Sequence, residues 1–223
     1  VAAANLAFVS YSQTSKADRL VLLHRLMAVT QSRFEDLAQA MSMEMGAPIS
    51  MAREAHADAA VGHLQGFIDA LEKVQERKKL ASGDIQLREA IGVCGLITPW
   101  NWPMNQIALK VIPALATGCT CVLKPSEHTP ISAMIYAEII HEAGFPAGVF
   151  NLVQGDGPTV GAAMSRHPNI QMMSFTGSTR AGTAVTRDAA DTVKRVTLEL
   201  GGKSPNLVFA DCDLEVRVTA SVD

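Results

Sequence analysis

The sequence predicts an α/β protein: a doubly wound parallel sheet of five strands, preceded by long N-terminal helices. From residue 91 onward, short runs of continuously apolar residues alternate with helical stretches. Continuous apolar strands are typical of a parallel sheet that is covered on both faces. The first 80 residues instead carry apolar side chains at helical spacing, which predicts amphipathic helices.

The N-terminal part is predicted to be helical throughout. One apolar helix face steps by three and four residues over Leu20–Met41, and Gly46-Ala47-Pro48 ends that helix. A second helix is expected over about 50–79, and its mixed-charge run Glu72–Lys79 is typical of a solvated helix end. The histidines of these helices have no metal-type partners in the pattern and are interpreted as structural: His24, His56 and His63.

The remaining elements follow from turn signals and apolar runs. Ser82-Gly83 predicts a turn, after which Ile85 and Leu87 alternate with polar residues as in a half-exposed strand. The strands of the sheet are expected at Val93–Ile97, Cys119–Leu123, Val149–Val153, Ile170–Phe175 and Lys194–Leu198. Crossover helices are expected near Met104–Ala116, Pro130–Ala143, Pro158–Ser165 and Thr179–Ala190. Five strands with four crossovers make a doubly wound domain.

Composition excludes several classes of protein. Hydrophobic residues make up 48% of the 223 residues, which excludes intrinsic disorder. The net charge of −3 argues against a nucleic-acid or membrane-surface partner, because such proteins carry a basic excess. The longest apolar stretch, between Lys110 and Lys124, has 13 residues and is too short to span a bilayer.

The four cysteines form no CxxC pair, and we expect no metal site. Cys119 and Cys121 would share one face of a strand, at the limit of disulfide reach. Free, buried thiols in a reducing compartment are the simplest interpretation, which predicts a cytoplasmic location.

The candidate chemistry lies where the strands end, because open α/β sheets bind ligands beyond the carboxyl ends of their strands. Each predicted strand is followed by glycine, polar or charged residues, and together these segments outline a cleft. The segments are Thr98–Pro103, Lys124–Glu127, Gly155–Pro158, Thr176–Gly182 and Glu199–Gly202.

Two of these segments suit a dinucleotide. Gly177 and Ser178, followed by Gly182, open a helix directly after a strand, where backbone N–H groups and the helix dipole would cradle a phosphate. The alternative is a turn that needs glycine for its geometry. Lys124 and Glu127 can hold sugar hydroxyls, since a carboxylate at that strand end accepts from ribose O–H groups. The alternative is a surface ion pair.

Two further segments suit catalysis. Glu199 ends an apolar strand, and a carboxylate at a dry strand end can have a raised pKa and act as a general base. It could instead cap the following turn. Asn101 lies between two tryptophans, and its amide could donate to an oxyanion. It could equally be a turn asparagine held by backbone hydrogen bonds.

Four motifs in order resemble the aldehyde dehydrogenase superfamily: TPWNWP (98–103), LKPSE (123–127), FTGSTRAG (175–182) and LELGGKSP (198–205). The resemblance covers nearly the whole chain, including the closing LVFADCDLE (207–215), whose LVFAD part is expected to be a strand. It implies a Rossmann-like variant of the doubly wound fold, a small aldehyde as substrate, and NAD, with NADP as the other candidate cofactor. In this family a cysteine thiolate adds to the aldehyde, hydride passes to the nicotinamide, and a glutamate-activated water hydrolyses the thioester.

The resemblance also implies roles for single residues. It implies Asn101 as oxyanion donor, Glu199 as general base and Lys110 as a proton relay. It places Lys124 and Glu127 on the adenosine ribose, which favours NAD over NADP, and Gly177 and Ser178 at the pyrophosphate. The rest of the implied cofactor site comprises Ile97, Thr98, Pro99, Trp100, Ser126, Gly157, Phe175, Gly182 and Leu200.

One departure from the family pattern concerns the nucleophile. The family cysteine lies roughly thirty residues beyond the glutamate of LELGG, whereas 24 residues follow Glu199 here. We therefore expect the cofactor-binding half of a larger enzyme, inactive alone; the alternative is a nucleotide-binding module without turnover. Residues 1–80 and 91–198 would form the dinucleotide-binding domain, 81–90 part of an oligomerisation arm, and 199–223 the start of a catalytic domain. The complete enzyme is expected to be a homo-dimer or homo-tetramer.

Overall fold

The computed structural model describes residues 1–222, and its helices and strands follow in chain order. The helices are α1 (Ala2–Tyr11), α2 (Lys16–Ser32), α3 (Phe34–Met45), α4 (Ile49–Met51), α5 (Asp58–Lys73), α6 (Pro103–Ala116), α7 (Pro130–Glu142), α8 (Ala162–Arg166), α9 (Thr179–Ala190) and α10 (Leu214–Val222). Two π-helical turns, Ala52–Ala57 and Gly157–Gly161, lead into α5 and α8. The strands are β1 (Arg77–Lys79), β2 (Ile85–Leu87), β3 (Val93–Ile97), β4 (Thr120–Lys124), β5 (Phe150–Leu152), β6 (Met172–Thr176) and β7 (Arg195–Glu199).

The main sheet confirms the predicted fold class. Its strand order is β5-β4-β3-β6-β7, and every pairing is parallel. The chain enters the main sheet at the central strand β3, adds β4 and β5 on one side, and then crosses back to add β6 and β7 on the other. This reversal beside β3 is the switch point at which doubly wound sheets bind their ligands.

Two hydrophobic cores cover the two faces of the sheet. The larger packs α2, α3, α5, α6 and α7 against one face of β3 and β4, around side chains such as Leu96 and Leu123. The smaller packs α8 and α9 against the opposite face, around Met173 and Phe175. None of the helices in residues 1–222 combines the length and the hydropathy that a bilayer span requires.

The N-terminal helical region differs from prediction at one point. The apolar face over 20–41 belongs to two helices, because α2 ends and α3 begins around Arg33. The backbone of Arg33 leaves the helical region, with φ −103° and ψ 15°. Its guanidinium binds Asp36 and two carboxylates of α7, Glu138 and Glu142. A continuous apolar face does not reveal this break. Gly46 ends α3 in the left-handed conformation, as predicted.

The second predicted helix was extended too far. It ends at Lys73, and part of the mixed-charge run forms β1, which pairs antiparallel with the predicted strand at Ile85–Leu87. The hairpin is exposed, and Gly83 provides the positive φ of its turn. The charged run has no apolar spacing of its own, so its pairing partner decides its conformation.

The closing segment also differs. Leu207 and Phe209, expected in a strand, are 72% and 69% exposed in a stretch without regular structure. No strand within the described residues pairs with them, and α10 follows. Three of the four thiols are free and buried, as expected: Cys94, Cys119 and Cys121.

Candidate active site

The carboxyl ends of the strands lie side by side, as the predicted cleft requires. Ile97 at the end of β3 is in register with Lys124 on one side and Phe175 on the other. The backbone N–H of Thr98 donates to the Lys124 carbonyl over 3.2 Å. Thr176 is in register with Glu199 at the end of β7. The predicted motifs therefore converge on one edge of the sheet.

Lys124 and Glu127 form an ion pair at the end of β4. The lysine is only 2% exposed, and its Nζ donates to the Pro125 carbonyl over 2.8 Å and to the Glu127 Oε2 over 3.2 Å. The Glu127 side chain remains 47% exposed. A hydrogen bond from its own backbone N–H, assisted by Lys124, lowers the pKa of this carboxyl. The pair thus presents a fixed, ionised acceptor at the cleft, and the Ser126 hydroxyl accepts from the His128 N–H beside it.

The first turn of α9 has the geometry of an anion site, with Ser178 as its N-cap. The Ser178 Oγ accepts from the Ala181 N–H over 3.2 Å. Gly177 cannot be replaced without movement, because a Cβ there would lie 2.6 Å from the Phe175 ring. Leu200 covers Gly182 as closely as Phe175 covers Gly177, since a Cβ on Gly182 would lie 2.6 Å from the Leu200 Cδ2. These predicted cofactor residues therefore touch one another.

Two residues beside β4 were not singled out by the sequence analysis, although one of them, Asp156, lies in the predicted segment Gly155–Pro158. Gly161 lies in the π-helical turn. A Cβ on Gly161 would be at ordinary contact distance from Ile97 and from the stem of the Lys124 side chain. Asp156 caps the same turn through the Thr159 N–H, over 2.7 Å, and this bond, with the charge of Lys124, lowers the pKa of Asp156. Predicted Gly157 lies exposed between them. The Gly157–Gly161 spacing was the available signal.

Lys110 and Glu199 lie on the face of the sheet that α6 covers. The Lys110 Nζ donates to the Ser174 Oγ over 2.8 Å, and burial lowers the pKa of Lys110 to about 8, opposed by the charge of Glu199. Ser174 and Thr176 point to the same face because side chains alternate along a strand. Glu199 stands beside Thr176 in register. Ser174 was not predicted, since the apolar run around it hid its role.

The environment expected for Glu199 is wrong in one respect. Its side chain is exposed rather than enclosed in a dry strand end. The cause is topological: β7 is an edge strand, and its outward face is only partly covered. Leu200 and the residues that follow lead away without forming a further strand within the described chain.

Asn101 is exposed between Trp100 and Trp102, on the loop that joins β3 to α6. Its amide forms no hydrogen bond with residues 1–222, so the alternative of a turn asparagine held by the backbone is not supported by the structure. Two nearby hydroxyls, Thr98 Oγ1 and Thr176 Oγ1, are buried without a partner in the same range. The ends of β3 and β6 thus hold two buried hydroxyls that form no hydrogen bond within the described residues.

Two cavities, of about 410 and 350 Å³, lie near the β1–β2 hairpin and are lined by residues such as Val74, Glu76 and Arg88. Predicted site residues line neither of them, and we refer to the row of strand ends that carries these residues as the groove. No group of three or more His, Cys, Asp or Glu side chains suited to a metal occurs in the described part of the chain.

Comparisons with known proteins agree with this geometry. The model of the "Aldehyde dehydrogenase family" matches residues 1–223. A curated relative, 3-succinoylsemialdehyde-pyridine dehydrogenase from a Pseudomonas species, is 52% identical over 223 residues, covering 100% of this chain and 46% of the relative. The chain spans about half the length of the curated relatives it matches.

Solved structures give the same result. An aldehyde dehydrogenase from Bartonella henselae superposes with a TM-score of 0.96 at 50% identity, covering 99% of this chain and 47% of that one. Aldehyde dehydrogenase C of Pseudomonas syringae, a cysteine-to-alanine variant in complex with NAD+ and octanal, has a TM-score of 0.96 at 51% identity, covering 99% and 45%. Betaine aldehyde dehydrogenase of Staphylococcus aureus, in complex with NAD+, has a TM-score of 0.93 at 34% identity, covering 99% and 45%.

Proposed function

Because the chain belongs to the aldehyde dehydrogenase family, we propose that it binds NAD at the carboxyl ends of its sheet and supplies part of the machinery that oxidises an aldehyde to a carboxylic acid. The observation that carries the proposal is the Lys124–Glu127 pair, which stands at the strand ends together with the N-terminus of α9. Two structural neighbours were crystallised with NAD+, which supports the choice of cofactor.

The residues at the groove suit the parts of a dinucleotide. Glu127 accepts from ribose hydroxyls, and the buried Lys124 ammonium fixes the carboxylate for this task. Gly177 and Ser178 face the pyrophosphate at the positive end of α9. The rest of the proposed groove comprises Ile97, Thr98, Pro99, Trp100, Ser126, Gly157, Phe175, Gly182 and Leu200. Bound NAD supplies the hydride acceptor of the reaction.

Three side chains of this chain have proposed catalytic roles. The Asn101 amide donates to the substrate oxygen as negative charge develops there. Glu199 accepts a proton from the water that releases the acid. Lys110, whose pKa burial lowers to about 8, serves as a proton relay through the Ser174 hydroxyl, to which its Nζ donates. Cys94, Cys119 and Cys121 receive no role, because each is at most 4% exposed.

The test is an activity assay on the protein as its full gene encodes it, following NADH at 340 nm with aliphatic and aromatic aldehydes. Replacing Asn101 by Ala is expected to lower kcat by about 10²-fold, the usual effect of losing an oxyanion donor. Glu199→Gln is expected to lower kcat, whereas Glu72→Gln, an exposed carboxylate at the end of α5, serves as the matched control. Full activity in both site variants would contradict the assignment.

The proposal extends to the organisation of the domains. Residues 1–80 and 91–198 form the dinucleotide-binding unit, and 199–223 lead into a catalytic region. The β1–β2 hairpin, which exposes 43% of Ile85 and 58% of Leu87, is part of an arm that contacts a second copy. We expect Leu87→Asp to lower the mass measured by light scattering and Gln86→Asp, on the other face of the strand, to leave it unchanged. Equal masses for the Leu87→Asp and Gln86→Asp variants would contradict the role of the hairpin as an oligomerisation arm.

A further inference from the structure

His56 lies beneath the loop that carries Asn101. Its imidazole is 2% exposed and stacks on the indole of Trp102, with 4.1 Å between ring centroids and 33° between planes. Trp102 directly follows Asn101 in the chain and is the N-cap of α6. The histidine is thus one side chain removed from the proposed oxyanion donor.

A local irregularity places His56 there. It belongs to the π-helical turn Ala52–Ala57, which interrupts the helix that runs from Ile49 to Lys73. Such turns are rare and occur frequently at functional sites. The wider turn changes which side chains of this segment face α6, and so it decides that an imidazole meets Trp102.

A second histidine reaches the same loop from the same side. The His63 Nε2 lies 2.6 Å from the Asn105 Oδ1, in the first turn of α6. His56 and His63 are seven residues apart, about two helical turns, and therefore share one face. Their two contacts flank the Trp102–Asn105 segment.

The loop has few other restraints. The N-cap of α6 makes no side-chain hydrogen bond, and its residue, Trp102, has φ −145° and ψ 68°. The Asn101 amide has no partner among the described residues, and Trp100 is 52% exposed. The Asn101 amide is therefore not held by a hydrogen bond of its own within these residues.

His56 contacts Trp102 through the face of its ring and not through a ring nitrogen. Its Nδ1 is buried without a hydrogen-bond partner in residues 1–222, which is unfavourable for folding. Burial lowers the pKa of His56, so the ring stacks in its neutral form at neutral pH. A planar ring stacks on an indole, whereas an aliphatic side chain of similar size does not, so the ring face is the feature on which this contact depends.

We propose that His56 is a positioning residue, which orients the Asn101 amide by stacking on Trp102. The inference rests on the proposed function, since it assumes that Asn101 donates to the reacting oxygen. The proposed effect of His56 on kcat comes from the stacking of its planar ring and not from a proton transfer.

The test uses two variants that both remove the unpaired nitrogen. His56→Leu keeps apolar volume but not the planar ring, and it is expected to lower kcat by about tenfold or more with unchanged affinity for NAD, as small misplacements of a catalytic group do. His56→Phe keeps the ring and is expected to restore kcat to within about twofold. A merely structural role would leave kcat unchanged in both. Ile68→Ala, a cavity variant in the same helix, controls for lost stability.

A double-mutant cycle with Asn101→Ala separates this inference from the proposed function. If His56 acts through Asn101, His56→Leu has no further effect on kcat when Asn101 is already alanine. Wild-type kcat in His56→Leu, equal losses in the Leu and Phe variants, or fully additive losses would overturn the inference. Wild-type kcat in Asn101→Ala alone would overturn the proposed oxyanion role and the inference that rests on it.

Discussion

Lys110 and Ser174 join α6 to β6 through a hydrogen bond of 2.8 Å, at a lysine that is only 8% exposed. The bond holds an ammonium group in a mostly apolar interface, and burial lowers its pKa from 10.5 to about 8. A shift of this size corresponds to about 3 kcal/mol of unfavourable free energy for the charged form in the folded protein.

The pH dependence of stability follows from this shift. Folding releases a proton from Lys110 between pH 8 and 10.5, so the native protein gains stability as the pH rises through that window. We expect Lys110→Met to raise the melting temperature at pH 7 and this advantage to shrink by pH 10. Lys73→Met, at an exposed lysine, should show no such trend. An advantage that stays constant from pH 7 to 10 would contradict the account.

Gly148 fixes the position of α1 against the end of the sheet. It has φ +84°, and a Cβ there would lie 2.6 Å from the Ala3 carbonyl oxygen and 3.1 Å from the Ala7 Cβ. Both the backbone conformation and the contact with α1 oppose a side chain. We expect Gly148→Ala to lower the free energy of unfolding by about 2 kcal/mol or more. Denaturant titrations measure this change, with Gly201→Ala as the control because a Cβ there would have nothing within 4 Å. Equal unfolding midpoints for the Gly148 and Gly201 variants would refute the prediction.

The thiols are expected to react in an order set by burial. The neighbouring Cys94 thiol, and also Thr117, lower the pKa of Cys119, yet Cys119 is only 4% exposed. Cys212 is partly exposed. Iodoacetamide labelling followed by peptide mass mapping should therefore modify Cys212 first and the buried thiols only in denaturant. Modification of native Cys119 at the rate of Cys212 would contradict this order.

The elements that could be predicted are those whose signal is local. The strand β3 was predicted with its observed bounds, because a continuous apolar run between polar loops has few alternatives. The break at Arg33 could not be predicted, since the α7 carboxylates that bind its guanidinium are more than a hundred residues away. The strand β1 was missed for the same reason: only the pairing of Arg77 with Leu87 makes that charged run extended.

The candidate site divides in the same way. Lys124 and Glu199 could be found because they end apolar strands, and Glu127 because it follows one closely. Ser174 could not, because its polar role depends on a lysine from α6. Likewise His56 was interpreted as structural, and its contact with Trp102 depends on a π-helical turn that has no periodic signature. Long-range contacts thus decided what the sequence alone left open.

The central claim is that the Lys124–Glu127 pair binds the ribose of NAD at the strand ends. Calorimetric titration of the protein with NAD and with NADP tests it most directly. Glu127 should repel a 2′-phosphate, so NAD is expected to bind at least about tenfold more tightly than NADP, or about 1.4 kcal/mol. In Glu127→Gln this preference should largely disappear, while Glu138→Gln, a carboxylate of α7 paired with Arg33, should retain it. Equal affinities for the two cofactors, unchanged by Glu127→Gln, or no binding of NAD at millimolar concentration, would contradict the account.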